Sequence, residues 1–482
     1  MLFNSLDFAV FLPIVFGIYW ALRNYPLRIQ NTFLLLSSYV FYGWWDWRFL
    51  LLIAFSTLTD FIIGNQLSKS ENKNLRRWLL ALSLIINLGI LGFFKYFNFF
   101  IDNLNGVFSL FGSDLSFRGL ELILPVGISF YTFQTLSYTI DIYNRKISAT
   151  KNIISFASFV SFFPQLVAGP IERAKHLLPQ FENNRRFSRQ KATDGLRQIL
   201  WGLFKKMVIA DQCAIFVEFC FNNPTEHSGS TLALGAFFFA IQIYGDFSGY
   251  SDIAIGTARL FGFDLMRNFN FPYFSRNIAE FWRRWHISLS TWFRDYVYIP
   301  LGGSKSSKSK VVRNIFVVFL ISALWHGANW TFVVWGVIHA LFYIPLLYIK
   351  STRSFTNTVA EHSILPSLKE SFLMIVTFLI TTMAWIFFRA ESVALAIEYL
   401  LAIFSKSLFS IPKFSNSMAA VIALCFILFM FVVEWLARFH NYGLEKFALS
   451  WKRPYRWAFY YALIACLLYF YGNQQEFIYF QF

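Results

Sequence analysis

The stretch VVRNIFVVFLISALWHGANWTFVVWGVIHALFYIPLLYI occupies residues 311–349 and decides the fold class of this chain. It contains two apolar runs, at 312–328 and 331–349, joined by a short turn. A helix needs about 20 predominantly apolar residues to cross about 30 Å of hydrocarbon, so each run predicts a membrane span. His326 lies inside the first run. An ionisable side chain is costly there, so this position is a candidate functional site.

The composition extends this conclusion to the whole chain. Of 482 residues, 57% are hydrophobic and only 14% are charged, which excludes an ordinary soluble globular protein. We therefore predict an all-α polytopic membrane protein with about 11–12 transmembrane helices plus re-entrant or interfacial helices. The chain is predicted to form one membrane domain over 1–482. The predicted spans are 6–22, 28–45, 49–67, 78–100, 122–143, 196–221, 231–262, 312–328, 331–349, 371–389, 417–437 and 455–472.

The charged residues predict the orientation of these spans. Lys and Arg number 42 against 26 Asp and Glu, and the excess lies in a few short loops that alternating spans place on one side. This is the positive-inside pattern, which favours a cytoplasmic location of those loops over nucleic-acid binding. Two apolar segments, 152–170 and 279–301, break the alternation and are predicted to be re-entrant or interfacial. The same parity predicts an extracytoplasmic tail over 473–482. The four cysteines lack metal-ligand spacing, so no metal site is predicted.

Several motifs carry a resemblance to a known family. They are PVGISFYTFQ (125–134), FPQLVAGPIER (163–173), YGDFSGYSD (244–252), FWRRWHISLSTWFRD (281–295) and LWHGAN (324–329). In this order they resemble the membrane-bound O-acyltransferases, and most closely the bacterial branch that exports acyl groups for polysaccharide modification. The resemblance implies the all-helical membrane fold of that family, with its helices around a central catalytic cavity, and an O-acetyltransferase activity.

The resemblance also implies roles for two histidines. His326 matches the intramembrane histidine of the family, and His286 matches a second catalytic position. A hydroxyl is a weak nucleophile toward a thioester until a base removes its proton, and a neutral imidazole suits that task. We therefore expect His326 to be the general base. The alternative for each is a hydrogen-bonded structural histidine, and this is the interpretation we favour for His339.

A set of polar residues is predicted to support the site. Two carboxylates inside an apolar span are expensive unless they are paired or orient another group. The alternative is a purely structural ion pair with Arg283 or Arg284. The supporting residues are Asp246, Ser248, Tyr250, Asp252, Asp295 and Asn329.

The basic, tryptophan-rich segment around His286 is the predicted donor site. Arg283, Arg284 and Trp285 are expected to contact the donor on the cytoplasmic face. No resident cofactor is predicted. The resemblance implies acetyl-CoA, or another acyl thioester, as co-substrate.

The chain ends in FIYFQF at 477–482. The resemblance implies that Tyr479 accepts the acyl group and passes it on. Phenol has a reference pKa of about 10, so a tyrosyl ester is activated for onward transfer. The alternative is an aromatic anchor at the membrane interface.

The implied partners are an extracytoplasmic SGNH-like serine O-acetyltransferase, a polysaccharide such as alginate, another exopolysaccharide or peptidoglycan, and membrane lipids. The implied location is the bacterial cytoplasmic (inner) membrane. Three alternatives stay open at this point: a polytopic transporter of the donor or the glycan, a membrane scaffold, and an enzyme of the same family acting on a lipid or protein acceptor. Many transporters contain an inverted repeat, and none is evident in this sequence.

Overall fold

The computed structural model describes residues 1–112, 117–472, 475, 477 and 478. All regular elements in these ranges are helices. Within the same ranges, eight helices are long and apolar enough to cross a membrane, which confirms the multi-pass membrane class. They are Leu6–Asn24, Phe49–Lys69, Lys73–Leu110, Gly229–Leu260, Lys308–His326, Trp330–Tyr348, Leu368–Arg389 and Ser417–Leu436.

The chain has two compact units. The first comprises Met1–Thr193 and Thr257–Met266, and the second comprises Asp194–Gly256 and Arg267–Phe482. The predicted single domain over 1–482 stays a prediction.

The described residues of the first unit form eight α-helices, the start of a ninth and the last residues of the helix Gly229–Leu260. A buried carboxylate ties two of them together, because Asp60 on α3 accepts hydrogen bonds from Ser83 Oγ (2.6 Å) and Asn87 Nδ2 (2.8 Å) on α4. Hydroxyl and amide donors thus stabilise this carboxylate inside an apolar region. The helices are α1 (Leu6–Ala21), α2 (Leu27–Gly43), α3 (Phe49–Lys69), α4 (Lys73–Leu110), α5 (Ile128–Tyr143), α6 (Ile153–Ser161), α7 (Phe163–Leu166), α8 (Ala174–Glu182) and α9 (Arg189–Leu203).

The second unit continues from α9 through a seven-residue π-helical segment at Phe204–Ala210. The unit boundary also falls within α11. The remaining helices are α10 (Asp211–Asn222), α11 (Gly229–Leu260), α12 (Ile278–Arg284), α13 (Ile287–Phe293), α14 (Lys308–His326), α15 (Trp330–Tyr348), α16 (Leu368–Arg389), α17 (Val393–Ile403), α18 (Ser417–Leu436) and α19 (Arg453–Phe470). A second π-helical segment, Arg294–Tyr298, follows α13.

The stretch that decides the fold class forms the helix pair α14 and α15. The two helices pack closely at Gly336, where an added Cβ would lie 2.8 Å from the carbonyl oxygen of Phe319. A side chain at this position would therefore push against backbone, which explains why glycine occupies it.

Three segments, at 122–143, 152–170 and 279–301, differ from simple membrane spans. The predicted 122–143 span begins as a helix only at Ile128, because Pro125 and Gly127, with φ of 75°, interrupt the chain just before it. Residues 152–170 form the short helices α6 and α7, and 279–301 is covered by α12, α13 and the second π-helical segment. None of these helices is long enough to span a membrane.

Candidate active site

His326 is the last residue of α14. The helix ends there because Gly327 is extended, with φ of −166°, and Asn329 then caps α15 by accepting the N–H of Thr331 at 3.0 Å. The imidazole is buried and is enclosed by aromatic rings, whose centroids lie 5.0–5.2 Å from its own. These rings belong to Trp325, Trp335 and Phe388.

His286 lies in the break between α12 and α13. Its φ of 43° places it in the left-handed region, which is uncommon for a residue with a side chain and marks a position that the surrounding structure imposes. The imidazole is fully buried, and its Nδ1 lies 3.0 Å from Asn268 Oδ1. The backbone N–H of Ser288 also donates to this oxygen, which fixes the orientation of the amide.

The hydrogen bond to Asn268 determines the tautomer of His286. Because Asn268 Oδ1 is an acceptor, Nδ1 of His286 carries the proton and Nε2 carries the lone pair. Burial lowers the pKa of His286 to about 3, so the ring is neutral at physiological pH. Its Nε2 is therefore a hydrogen-bond acceptor rather than a cationic donor.

One tryptophan contacts both histidines. The ring centroid of Trp325 lies 5.7 Å from that of His286 and 5.0 Å from that of His326. The structure thus brings together the two side chains that the sequence motifs singled out, although 40 positions separate them along the chain.

His339 has a different environment. It lies in the middle of α15, is fully buried, and its Nδ1 accepts a hydrogen bond from Trp282 Nε1 at 3.3 Å. This arrangement suits the structural role expected for it.

The carboxylates of α11 are paired with lysines. Asp252 Oδ2 lies 2.6 Å from Lys205 Nζ, and Asp246 Oδ1 lies 2.8 Å from Lys206 Nζ. The partners are therefore not Arg283 or Arg284, the residues that we had considered from the sequence. Both lysines are buried in the first π-helical segment. Such a segment contains an extra residue per turn, which changes the faces on which side chains point and often occurs at functional sites.

Each lysine belongs to its own charged cluster. Lys205 also faces Glu434 at 3.8 Å, and Gln198 Nε2 donates to Asp252 at 2.8 Å. Lys206 is shared between Asp246 and Asp211, with Nζ 2.8 Å from an oxygen of each. Pairing of this kind is what makes buried carboxylates tolerable in an apolar region.

A small polar cavity adjoins the Lys205 cluster. It has room for about one water molecule, with a volume of about 10 Å³, and Ser248, Asp252, Arg267 and Asn268 are among the residues that line it. Because Asn268 also holds His286, the cavity lies next to the support of that histidine.

The predicted donor-binding residues form contacts inside the protein. Arg283 donates to the carbonyl oxygens of Thr352 (2.5 Å) and Phe355 (2.6 Å). Arg284 pairs with Glu280 at 2.8 Å, and Trp285 is buried against Phe281 with ring centroids 5.4 Å apart. Through these contacts, all three residues stabilise α12 and its surroundings.

The other predicted supporting residues are dispersed. Asp295 pairs with Arg294 at 2.8 Å in a partly exposed position. Asn329 caps α15 and donates from Nδ2 to the Glu391 carbonyl oxygen at 2.9 Å. The ring of Tyr250 lies 4.9 Å from that of Phe477.

The structure describes part of the C-terminal segment. Tyr479 lies outside the described residues. Phe477 and Ile478, directly before it in the chain, are buried in the second unit.

Sequence reasoning did not single out several residues of this region, among them Lys205, Lys206, Asp211 and Asn268. Lys205, Lys206 and Asp211 all lie in the predicted span 196–221, where the cost of intramembrane charge was a usable signal. Asn268 gave no such signal, because a polar loop residue is ordinary in sequence and only the fold places it beside His286.

Comparisons with known proteins agree with the motifs. Residues 143–378 match the family model of MBOAT, the membrane-bound O-acyltransferase family. The chain is 42% identical to the probable alginate O-acetylase AlgI of Pseudomonas aeruginosa, over 84% of this chain and 75% of that protein. It is 36% identical to the peptidoglycan O-acetyltransferase of Helicobacter pylori, over 83% of this chain and 79% of that protein.

A third relative is more distant. The teichoic acid D-alanyltransferase of Bacillus subtilis is 30% identical over 46% of this chain and 58% of that protein. The motifs, the helical membrane fold and these similarities together lead to one conclusion: the chain belongs to the membrane-bound O-acyltransferase family and is a multi-pass membrane acyltransferase.

Proposed function

We propose that this protein is an O-acetyltransferase of the bacterial cytoplasmic membrane that moves an acetyl group from a cytoplasmic thioester toward an extracytoplasmic polysaccharide. The names of two relatives support acetyl as the acyl group and alginate or peptidoglycan as the class of acceptor. The observation that carries the proposal is the placement of two buried histidines, His286 and His326, against the same tryptophan ring.

The donor in this proposal is acetyl-CoA on the cytoplasmic side. His286 is the residue that faces it, since the basic loop containing α12 and α13 is predicted to be cytoplasmic. Asn268 fixes the proton of His286 on Nδ1, so Nε2 of the ring can accept a hydrogen bond from an N–H group of acetyl-CoA and orient that molecule. It therefore acts as a positioning group for the pantetheine amides.

The acceptor is Tyr479, and His326 is its general base. His326 takes the phenol proton, the phenolate oxygen attacks the thioester carbonyl, and the carbon–sulfur bond breaks. The proton held by His326 then passes to the leaving thiolate, so the products are acetyl-tyrosine and coenzyme A thiol. The burial of His326 among aromatic rings supports this step, because exclusion of water protects the thioester from hydrolysis.

The acetyl group then leaves Tyr479 for an extracytoplasmic partner. A serine transferase of the SGNH-like type is the proposed recipient, and it passes the group to a hydroxyl of the polysaccharide. Attack of a serine on a phenyl ester is favourable because phenolate is a better leaving group than an alkoxide.

Thioester cleavage tests the proposal. Purified protein reconstituted in lipid nanodiscs is incubated with acetyl-CoA, and the release of coenzyme A thiol is followed. We expect a burst of about one thiol per protein for the wild-type chain, because one tyrosine is acetylated per copy. The burst should be absent from His326→Ala. Intact acetyl-CoA in the presence of folded wild-type protein would contradict the proposal, and it is the result expected of a transporter.

A further inference from the structure

The described residues of the C-terminal segment are held by charged side chains. Phe477 and Ile478 are both almost fully buried. The ring of Phe477 packs 4.9 Å from that of Tyr250 and 6.3 Å from that of Phe247. Phe247 is in turn 4.6 Å from the ring of His286. Phe477 and Ile478 therefore lie inside the second unit and close to the candidate active site.

The polar contacts of this segment go to its main chain. Asp246 Oδ2 accepts the backbone N–H of Ile478 at 2.7 Å. Lys206 Nζ donates to the backbone carbonyl oxygen of Gln475 at 3.2 Å. Asp211 completes the arrangement, since Lys206 Nζ lies 2.8 Å from Asp211 Oδ1 and 2.8 Å from Asp246 Oδ1. One ammonium and two carboxylates thus bind two peptide groups three residues apart.

We infer that Lys206, Asp211 and Asp246 form a main-chain clamp that sets the position of Tyr479 in the active site. This inference rests on the proposed role of Tyr479 as the acetyl acceptor. Consecutive Cα atoms are about 3.8 Å apart, so a fixed Ile478 amide restricts where the next residue can lie. Lys206, Asp211 and Asp246 are positioning residues in this account, because they act through the chain that carries the nucleophile.

Two physical arguments support a clamp rather than an incidental contact. Hydrogen bonds to charged groups are shorter and roughly twice as strong as neutral ones. A buried carboxylate also needs donors for both of its oxygens, and Asp246 uses Lys206 for one and the Ile478 amide for the other. If the C-terminal segment moved away, Asp246 Oδ2 would lose that hydrogen-bond donor. This cost favours the clamped state.

The neighbouring Lys205 cluster provides a matched control. Asp252 lies on the same helix as Asp246, is also buried, and pairs with a lysine from the same π-helical segment. Asp252 contacts Lys205 and Gln198, and neither contact involves Gln475, Phe477 or Ile478, the described residues of the C-terminal segment. Disruption of either pair removes one buried ion pair, but only disruption of Asp246 affects the clamp.

The first experiment measures accessibility of the chain end without any chemistry. Detergent-purified wild type, Asp246→Ala and Asp252→Ala are digested with carboxypeptidase, and intact masses are followed over time. We expect wild type and Asp252→Ala to retain Ile478, whereas Asp246→Ala loses it at least about tenfold faster, the size expected for loss of a hydrogen bond to a charged group. Equal protection of Asp246→Ala and wild type would overturn the clamp. Equal loss from both alanine variants would also overturn it, because protection would then reflect general packing.

The second experiment changes only the segment, so that the body of the protein folds as before. Ile478→Pro removes the N–H that Asp246 accepts, and Ile478→Ala keeps it. At saturating acetyl-CoA, we expect acetylation of Tyr479 to be at least about tenfold slower in the proline variant than in the alanine variant, with an unchanged KM for acetyl-CoA. Equal rates, or a difference confined to KM, would contradict the inference. If wild-type Tyr479 receives no acetyl group, the proposed function fails, and the digestion experiment still decides whether the clamp exists.

Discussion

His326 and His339 lie in the same helix pair and share an aromatic neighbour, yet their surroundings differ. The ring of Trp335 lies 5.2 Å from the His326 ring and 5.0 Å from the His339 ring. His326 ends its helix at a backbone break, whereas His339 sits in mid-helix and accepts a hydrogen bond from Trp282. Burial and aromatic contacts therefore do not distinguish the proposed base from the histidine that we expect to be structural. The helix end does distinguish them, because interrupted helices at membrane depth commonly line a binding site.

The largest expected difference comes from deleting each histidine. His326→Ala should slow acetyl transfer about 10²–10⁴-fold, the usual contribution of a general base. His339→Ala should leave the rate within about threefold and lower the melting temperature instead, because it creates a cavity in the core. Thiol release and thermal unfolding in detergent measure the two effects. A comparable loss of rate in both variants would remove the distinction between the two positions.

A smaller decrease in activity is expected from a change at Asn268, the hydrogen-bond partner of His286. Asn268→Leu removes the acceptor for His286 Nδ1–H and frees the ring to adopt the other tautomer. We expect a decrease in kcat/KM for acetyl-CoA of about tenfold, in the range seen when such supporting partners are lost. Asn268→Asp keeps the acceptor oxygen and serves as the control. A full rate in Asn268→Leu would show that the orientation of His286 does not matter.

Two glycines in this helix pair should respond differently to substitution by alanine, because an added Cβ meets different atoms at each. An added Cβ on Gly327 would lie 2.0 Å from the Phe332 ring, whereas one on Gly336 would meet the backbone oxygen of Phe319. Phe332 packs 4.9 Å from Phe388, one of the rings that enclose His326. A ring can shift more easily than a helix backbone, so Gly327→Ala should slow transfer a few-fold by moving Phe332 and with it Phe388, at a smaller loss of stability than Gly336→Ala. Gly336→Ala should cost about 1–3 kcal/mol of stability and spare the rate of the folded fraction. A slower transfer step in Gly336→Ala, with a normal rate and lower stability in Gly327→Ala, would contradict this prediction and point to His339 as the functional histidine.

The smallest expected effect concerns the partner of His339. Trp282→Phe keeps an aromatic ring but removes the N–H that binds His339 Nδ1. We expect a loss of about 1 kcal/mol in the free energy of unfolding and no change in acetyl transfer. Denaturant titration in mixed micelles, with thiol release on the same samples, provides the measurement. A slower transfer step at unchanged stability would give His339 a functional role.

The sequence predicted the membrane fold well because span length and loop charge are local properties. The two segments that broke the charge alternation, 152–170 and 279–301, are the ones that form short, interrupted helices. The start of α5 was wrong by six residues, since an apolar run continues through Pro125 and Gly127 while the helix does not. A hydropathy pattern does not register such a break.

The candidate site was predicted only in part. The motifs selected His286 and His326, and the fold brings both against Trp325. The lysine partners of Asp246 and Asp252 were not predicted, because a π-helical segment shifts the faces of Lys205 and Lys206 in a way that helical periodicity does not anticipate. The burial of Phe477 and Ile478 likewise depends on contacts about 230 residues apart, such as that of Ile478 with Asp246.

The proposed function depends above all on Tyr479 as the acceptor of the acetyl group and on His326 as its base. Peptide mass spectrometry of purified protein incubated with isotopically labelled acetyl-CoA tests it most directly, with wild type, His326→Ala and Tyr479→Phe compared side by side. The account predicts a labelled acetyl group on Tyr479 in the wild type and none on the C-terminal peptide of either variant. Label on Tyr479 at the wild-type level in His326→Ala, or thiol release by the wild type without any label on Tyr479, would contradict it.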